Sequence, residues 1–476
     1  MTTLDRSLFQ KTFPITAAHV FDERNIKKVL EGCKSDILRS GNATVRLVVT
    51  EQEKGSRKKV LVRMKPDVKH DDFSTVSEET RELIHSRILE LVPHNLHMGY
   101  KDWTYNELIE SILPPDLRPA PPIHKVGHIA HLNLRNPCLP YKYLLANLIL
   151  DKHPIITTVI NKIQDVGSWS AYRTFPMELL AGSPDTKVTT TESNCEFRFD
   201  FAKVYWNSRL ENEHQRIIAL FKPGEAVADV MAGAGPFAVP AAKKKVIVWA
   251  NDINPDAYAS LTEGIWRNKV QRILRPFNVD AREFIPTSIR NLYRLSRSPE
   301  PLNNTITCHV DHFKPGVKTS LRRAGKTEEE INPTPVKIRL PPTFSHFIMN
   351  LPASAPSYLD AFIGAYNGLE HLFFDSHGNV QRELPLVHCY AFHRSVNAEN
   401  AGKDICEDIS KNLGHEIRPD DLEHLENVRL VAPYKTMWCA SFRVPVEVAF
   451  ADVPKPREKD KVELKKEKWW SWALDD

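Results

Sequence analysis

ADVMAGAGPFAVPAA, Ala228 to Ala242, decides how this chain is read. A short apolar run reaches Asp229, then come Gly233 and Gly235, then small apolar residues that suit a helix. Glycine lets a backbone approach a ligand closely, and a helix start offers N–H groups without partners. A plain tight turn between strand and helix would use the same residues. The loop is not the dinucleotide fingerprint Gly-x-Gly-x-x-Gly: after Gly235 come Pro236 and Phe237, and Ala238 stands where the spaced third glycine would.

Outward from this loop the chain alternates. Helical SRLENEHQRIIALF precedes it; strand VIVWANDI, helix PDAYASLTEGIWRNKV, strand ILRPFNVD and helix AREFIPTSIRNLYRL follow. Strands alternating with helices predict a doubly wound parallel sheet. An acid, three residues and Gly-x-Gly also open many S-adenosylmethionine sites, which makes the loop Gly233, Ala234, Gly235, Pro236 a cofactor-binding candidate. Between Ser298 and Pro342 the alternation stops in a polar, proline-rich stretch, read as a surface insertion at about 299–342. It resumes with strand FSHFIMN, helix YLDAFIGAYNGLEHLF, strand LVHCYAF and the closing strands VRLVAPY and WCASFRVPVEVAF.

This organisation places a Rossmann-type domain at 201–453 and a charged, tryptophan-containing tail at 454–476. Upstream, five prolines between Pro114 and Pro122 read as a stiff linker, 114–122. Strands ATVRLVVT and KKVLVRM with helices RNIKKVLEGCKSDILRS and SEETRELIHSRILELV make a small α/β module of 1–113. Strands VGHIAHLNLR, ITTVINKI and TKVTTTESNCEFRFDFAKVYW with helix PYKYLLANLILDKH make a second one of 123–200.

Composition limits the function classes. The 476 residues are 42% hydrophobic and 26% charged, and the net charge of +4 leaves any nucleic-acid affinity to local patches. KGSRKK (Lys54 to Lys59), LRRAGK (Leu321 to Lys326) and the tail lysines could meet phosphates or be solvated faces. Seven cysteines without a CxxC speak against a zinc knuckle or redox pair and suit reduced thiols. No apolar run approaches membrane-spanning length, YLLANLIL being the longest kind present. The first twenty residues, with Asp5 their one acid, read either as a mitochondrial transit composition or as a folded strand and turn.

Three strand ends carry further candidates. ANDINPDA puts Asp252 about twenty residues past the glycines, where a carboxylate meets ribose hydroxyls in such sheets. NVDAREF puts Asp280 at the next strand end, able to accept from an adenine amine; each acid could instead cap a helix. FIMNLPASAPSYLDAF puts Asn350-Leu351-Pro352 after the fourth strand. Proline ends a ladder, so this is a rigid lip that holds the Asn350 amide at the reacting end of the cofactor.

VYWNSRLENEHQRI, DVMAGAGPFAVPAA, NDINPDA, NVDAREF and MNLPASA together resemble the archaeal and eukaryotic tRNA (guanine-N1)-methyltransferase family, which modifies guanosine 37 beside the anticodon and helps to maintain reading frame. LDRSLF, VGHIAHLNLR and YRTFPMELLAG extend the resemblance over most of the chain. It implies a Rossmann-type class I S-adenosylmethionine domain behind two small α/β modules, the first reading tRNA. It implies Glu213 as general base, Arg173 as the arginine on the guanine O6, and Asn350 near the methyl donor. His214, Asp252 with Ile253, and Asp280 with Ala281 would contact the cofactor. Asn212 departs from the threonine that the family pattern would put there. The family further implies a monomer, no metal, no membrane, and a cytoplasmic, nuclear and mitochondrial-matrix location. The chemistry is coherent: guanine N1 is a poor nucleophile until its proton leaves, the charge then moves to O6, and an arginine stabilises it there. Two rival readings are a class I methylase of another nucleobase or a protein amide, and a non-catalytic RNA-binding scaffold. The first would use Asn-Pro-Pro-aromatic where this chain has Asn350-Leu351-Pro352-Ala353.

Overall fold

The computed structural model of the chain describes residues 4–38, 45–51, 58–118, 121–163, 172, 174, 176–300, 304–308, 324–327 and 335–452. Two compact units emerge: Met1–Lys125 with Ala130–Asn161 and Glu178–Pro184, and Val126–Ile129 with Lys162–Met177 and Asp185–Asp476.

In the first unit, β1 (Lys11–Val20), α1 (Ile26–Gly32), β2 (Val48–Glu51), β3 (Lys59–Arg63), α2 (Glu78–His85) and β4 (Leu89–Met98) make an antiparallel sheet of order β2-β3-β1-β4 covered by two helices. β1 pairs with β4 from Lys11↔Met98 to Val20↔Leu89, after a 3-10 turn at Arg6–Phe9. Ala18, Val20, Val62 and Leu89 of the sheet meet Val29, Cys33 and Leu83 beneath the helices.

A second sheet, β5-β6-β7-β8, follows with α3 (Tyr105–Ile112), β5 (His124–Val126), β6 (Ile129–Leu132), α4 (Lys142–Lys152), β7 (Thr158–Lys162) and β8 (Met177–Gly182). Leu108 and Ile109 of α3 share one core with Leu144, Leu145, Leu148 and Ile149 of α4. Leu113 and Leu117 lie in that core, so the proline-rich stretch expected to be a linker is, through Leu117, part of the layer. Thr104 and Glu107 start α3 reciprocally, Thr104 N donating to Glu107 Oε2 at 2.7 Å and Glu107 N to Thr104 Oγ1 at 3.3 Å.

The second unit opens with a hairpin of β9 (Lys187–Glu192) and β10 (Cys195–Asp200), then α5 (Glu211–Leu220). This hairpin, expected in the middle module, belongs here: Glu196 N donates to Asn268 Oδ1 (3.0 Å) and Asn268 Nδ2 to Glu196 O (2.7 Å). β11 (Ala226–Asp229), α6 (Ala238–Lys243), β12 (Ile247–Asn251), α7 (Pro255–Arg267), β13 (Leu274–Phe277) and α8 (Ala281–Ser296) follow in the expected alternation. The insertion contributes an antiparallel pair, β14 (Thr305–Cys308) and β15 (Val336–Arg339). Then come β16 (His346–Met349), β17 (Leu386–His393), α9 (Ala398–Leu413), β18 (Leu422–Ala432), β19 (Lys435–Arg443) and α10 (Val446–Ala449). The sheet order is β13-β12-β11-β16-β17-β19-β18, parallel through β17, with β19 antiparallel to both neighbours. β11 and β12 are buried along their whole length, which is why they read as unbroken apolar runs.

Two segments differ from the sequence reading. The helix expected over YLDAFIGAYNGLEHLF is a set of tight 3-10 turns, Ala355–Phe362 and Glu370–Leu372, with Gly364 between them at φ +66°. The helix α9 was not anticipated, although Asn397 caps it by accepting from Glu399 N at 2.8 Å, and Gly414 closes it.

Candidate active site

The chain runs from β11 out to β13 and returns to β16 on the other side of β11. At such a reversal the loops leave in opposite directions and open a crevice at the carboxyl ends of the strands. A cleft enclosing about 980 Å³ of empty space, partly open to solvent, lies there. Gly233, Pro236, Asp252, Ile253, Asp280, Ala281, Asn350 and His214 line it, as do Tyr205, Trp206, Phe237 and Tyr358.

The glycine loop does two jobs. Gly233 sits at φ +57° and its N–H donates to Asp252 Oδ2 at 2.8 Å, which fixes the carboxylate across the cleft floor. Gly235, at φ +89°, is a packing residue: a Cβ there would come 2.6 Å from Leu261 Cδ1 on α7. Ala234 is buried, and neither it nor Gly235 is among the residues that line the cleft.

The capping alternative divides the two acids. Asp280 caps α8, its Oδ1 accepting from Arg282 N at 2.8 Å, while also lining the cleft. Asp252 caps nothing; Asn254 caps α7 by accepting from Asp256 N at 3.0 Å, and its own N–H donates to Asp252 Oδ1 at 2.9 Å. Asn251, which the sequence reading passed over, clamps three strand ends. Its amide donates to Val230 O (3.1 Å) and Val279 O (3.0 Å) and accepts from Val279 N (3.0 Å). Behind the loop Asp229 is wholly buried. Burial, then the Asp252 charge, push its carboxyl well above the usual range, and the Met231 amide offsets this only in part.

Asn350 and Leu351 form the far wall. Leu351 O accepts from Ser354 N (2.8 Å) and Ala355 N (2.7 Å), and Pro352 O accepts from Phe392 N (3.0 Å), so the lip is tied to β17.

His214 and Glu213 are neighbours on α5 and face different ways. His214 lines the cleft, its Nδ1 lying 2.5 Å from Glu192 Oε1, with both side chains buried. Glu213, 7% exposed, does not line the cleft. Its Oε1 accepts from Tyr390 Oη (2.6 Å) and Arg216 Nη2 (2.7 Å), and its Oε2 from Arg216 Nε (2.7 Å). Burial would lower the Arg216 pKa, but the hydrogen bond and charge of Glu213 outweigh it and raise it. Arg173 lies outside the described residues, while its neighbour Tyr172 lines the cleft.

A loop floor with an exposed glycine backbone, two carboxylates, an amide and aromatic walls suits a nucleoside with a polar tail. Among the described residues no three His, Cys, Asp or Glu side chains are grouped to hold a metal ion, and no helix is long and apolar enough to cross a membrane.

Residues 188–293 match the family model of the TRM5/TYW2 methyltransferase domain, and 105–186 that of the TYW2 N-terminal domain. These limits begin close to β9 and at α3, where the structure starts new layers. A protein of Aspergillus fumigatus named tRNA (guanine(37)-N(1))-methyltransferase is 46% identical over 468 residues, 95% of this chain and 94% of that one. A protein of the same name from Schizosaccharomyces pombe is 42% identical over 453 residues, 95% of this chain and 96% of that one. Among solved structures, Trm5b from Pyrococcus abyssi covers 90% of this chain and 99% of its own at 20% identity, with a TM-score of 0.53. The complex of aTrm5 and tRNALeu covers 90% and 100% at 17% identity, with a TM-score of 0.56. At such identities these two structures speak for the fold alone.

Proposed function

The chain belongs to the tRNA (guanine(37)-N(1))-methyltransferase family, and on that premise we propose that it transfers a methyl group from S-adenosylmethionine to N1 of guanosine 37 in tRNA. The observation that carries this reading is the delivery of Asp252, Asp280 and Asn350 to one cleft around Gly233 by successive parallel strand ends.

The residues fit the donor. Asp252, oriented by two backbone N–H groups, has the position and charge to accept from both ribose hydroxyls. Asp280 and the Ala281 backbone stand at the start of α8, where an adenine edge finds an acceptor and a donor. Ile253 offers an apolar face to the base. Bound there, S-adenosylmethionine supplies an electrophilic methyl group on a sulfonium and needs no metal.

The protein's task is then to bring guanine N1 in line and to take its proton. Asn350 on its tied lip orients the target base and the donor's reacting end. Arg173, by its family match, donates to O6 as negative charge develops there. Glu213, by the same match, is the base. Its carboxylate is bound by Arg216 and Tyr390, which keeps it from the cleft. The base role therefore requires the carboxylate to leave Arg216 when the guanine enters. The enzyme is proposed to act as a monomer, in the cytoplasm, nucleus and mitochondrial matrix.

Unmodified tRNA transcripts carrying guanosine or adenosine at position 37 test the function. Methyl transfer to the guanosine form, mapped to N1, is expected. Equal transfer to both forms, or a product at another base, overturns it.

A further inference from the structure

The edge of the sheet beyond the cleft carries a feature that the methyl-transfer site does not use. β18 and β19 join through a two-residue turn, Pro433-Tyr434, and Tyr434 sits there at φ +58° with 82% of its surface exposed. A bulky residue in the left-handed region is strained, and glycine would relieve it. An aromatic ring is thus held outward at the tip at a conformational cost. Leu430 and Val431 beside it are also exposed.

The tip lies on the edge of the sheet where the cleft opens. β19 starts at Lys435, and Thr436 pairs with His393 at the carboxyl end of β17. Phe392 links the two places: its N–H donates to Pro352 O on the lip (3.0 Å), and Lys435 Nζ lies 4.3 Å from its ring centre. β19 is two strands from β16, roughly 10 Å across the sheet, and Tyr434 lies three residues past Met437, the partner of Phe392, so the tip stands about 14 Å from the lip.

The charge of this edge is one-sided. At the tip end, residues 205–210, 393–398 and 427–437 contain no Asp or Glu, yet hold Arg209, Arg394, Arg429 and Lys435. The acids that follow on α9 are engaged, Asp404 by His393 (2.7 Å) and Glu399 by Lys403 (2.9 Å). Arg429 is half-buried beside Arg209, the residue after Ser208 on the way into α5. Burial and then the Arg209 charge lower its pKa, while Tyr205 of the cleft wall opposes them. Two guanidinium groups near enough to feel each other's charge, with Tyr205 of the cleft wall close by, suit a polyanion.

We propose that this hairpin tip is the platform for single-stranded RNA flanking the target guanosine, with the Tyr434 ring stacking on a base and Arg429, Arg209 and Lys435 facing phosphates. It rests on the reading of the cleft as a tRNA methyltransferase site. Aromatic stacking with basic groups along one edge is how single strands are held without base-edge readout. The occupant is the anticodon-loop strand, because the tip stands one short step from the lip over which guanosine 37 must enter.

The full-length chain is tested with Tyr434→Ala, Tyr434→Gly, Tyr434→Phe and the double variant Arg429→Ala/Lys435→Ala. The readouts are kcat/KM on whole tRNA and on a bare anticodon stem-loop, tRNA affinity against salt, and the dissociation constant of S-adenosylmethionine. Losing one stacked base should cost roughly 5- to 100-fold in kcat/KM for Ala and Gly, on both RNAs, with Phe near native. The Gly variant relaxes the turn, so its loss cannot be a folding defect. The double variant should flatten the slope of log affinity against log salt by about 1 to 2. Cofactor affinity should stay within about twofold throughout. Ala and Gly variants matching native kcat/KM on both RNAs overturn the platform while native methylation of guanosine 37 stands; the exposed tip then serves a protein partner instead. A native chain that methylates no tRNA overturns the reading beneath it as well.

Discussion

Glu213→Gln separates a base from a buttress. The native carboxylate takes three hydrogen bonds, two of them to Oε1, from Tyr390 and Arg216, and one to Oε2, from Arg216. A glutamine can keep its oxygen at the Oε1 place, but its NH2 then faces the Arg216 Nε–H, donor against donor. Removing one partner of a buried ion pair costs about 3–5 kcal/mol. The Arg216 side chain is 26% exposed, so water reclaims part of its charge, and about 1.5–3 kcal/mol is expected. For a unit of this size that lowers Tm by about 3–10 °C. If Glu213 is also the base, the single-turnover methylation rate falls by about 10²–10⁴. The second variant, Glu213→Gln/Arg216→Met, removes the stranded charge and should restore most of the Tm. Rates are measured at saturating tRNA and cofactor, at least 10 °C below the lowest transition. A base leaves the double variant as slow as the single one. If the double variant regains the native rate along with its Tm, or the single variant never loses it, Glu213 only holds α5 against β17 and the proton leaves by another route.

Asp252→Ala removes the carboxylate that two backbone N–H groups aim into the cleft; cofactor affinity should fall roughly 10- to 100-fold. Calorimetry showing an unchanged dissociation constant would take Asp252 out of the site. Asp229→Asn should raise Tm more at pH 8 than at pH 5. The native carboxyl titrates above its ordinary 3.8, so the folded state keeps a proton the unfolded chain gives up, and stability falls as pH rises through that window. An equal Tm change at both pH values would count against a neutral Asp229. His346 stacks on His388, their Nδ1 and Nε2 3.0 Å apart, and burial, then Arg443 and Lys222, push His346 down to about 4. Its stabilisation is whole above pH 6.5 and lost as pH falls toward 4, so His346→Asn should flatten that limb in urea unfolding, and an unchanged slope would exclude His346 as its source.

The cleft was legible where chemistry sits at strand ends. Parallel strands all present their carboxyl ends at one edge, so Gly233, Asp252, Asp280 and Asn350 had to meet once the alternation of strand and helix was read. Of the two acids read as possible caps, Asp280 does cap α8, while the caps Asn254 and Asn397 of α7 and α9 were passed over. Segments whose local pattern is ambiguous were not legible. The run 358–373 has helical spacing, but the backbone at Gly364 breaks this stretch into separate 3-10 turns.

By itself the sequence settled the doubly wound sheet, the order of the cleft residues and the kinship of the chain, because these depend on periodicity and on neighbours along the backbone. Tertiary structure alone decided direction. Glu213 and His214 are adjacent, and successive residues of an α-helix point about 100° apart, so they need not share an environment, and here only His214 lines the cleft. Which one does is set by how α5 packs: Tyr390 of β17 takes Glu213, Glu192 of β9 takes His214, and those partners lie 177 and 22 residues away. The same holds for Gly235, whose role came from Leu261 on α7, and for Asn251, whose amide joins the ends of three strands. Contacts at such separations depend on the angle and depth at which elements dock, and the local pattern of the chain does not carry that information.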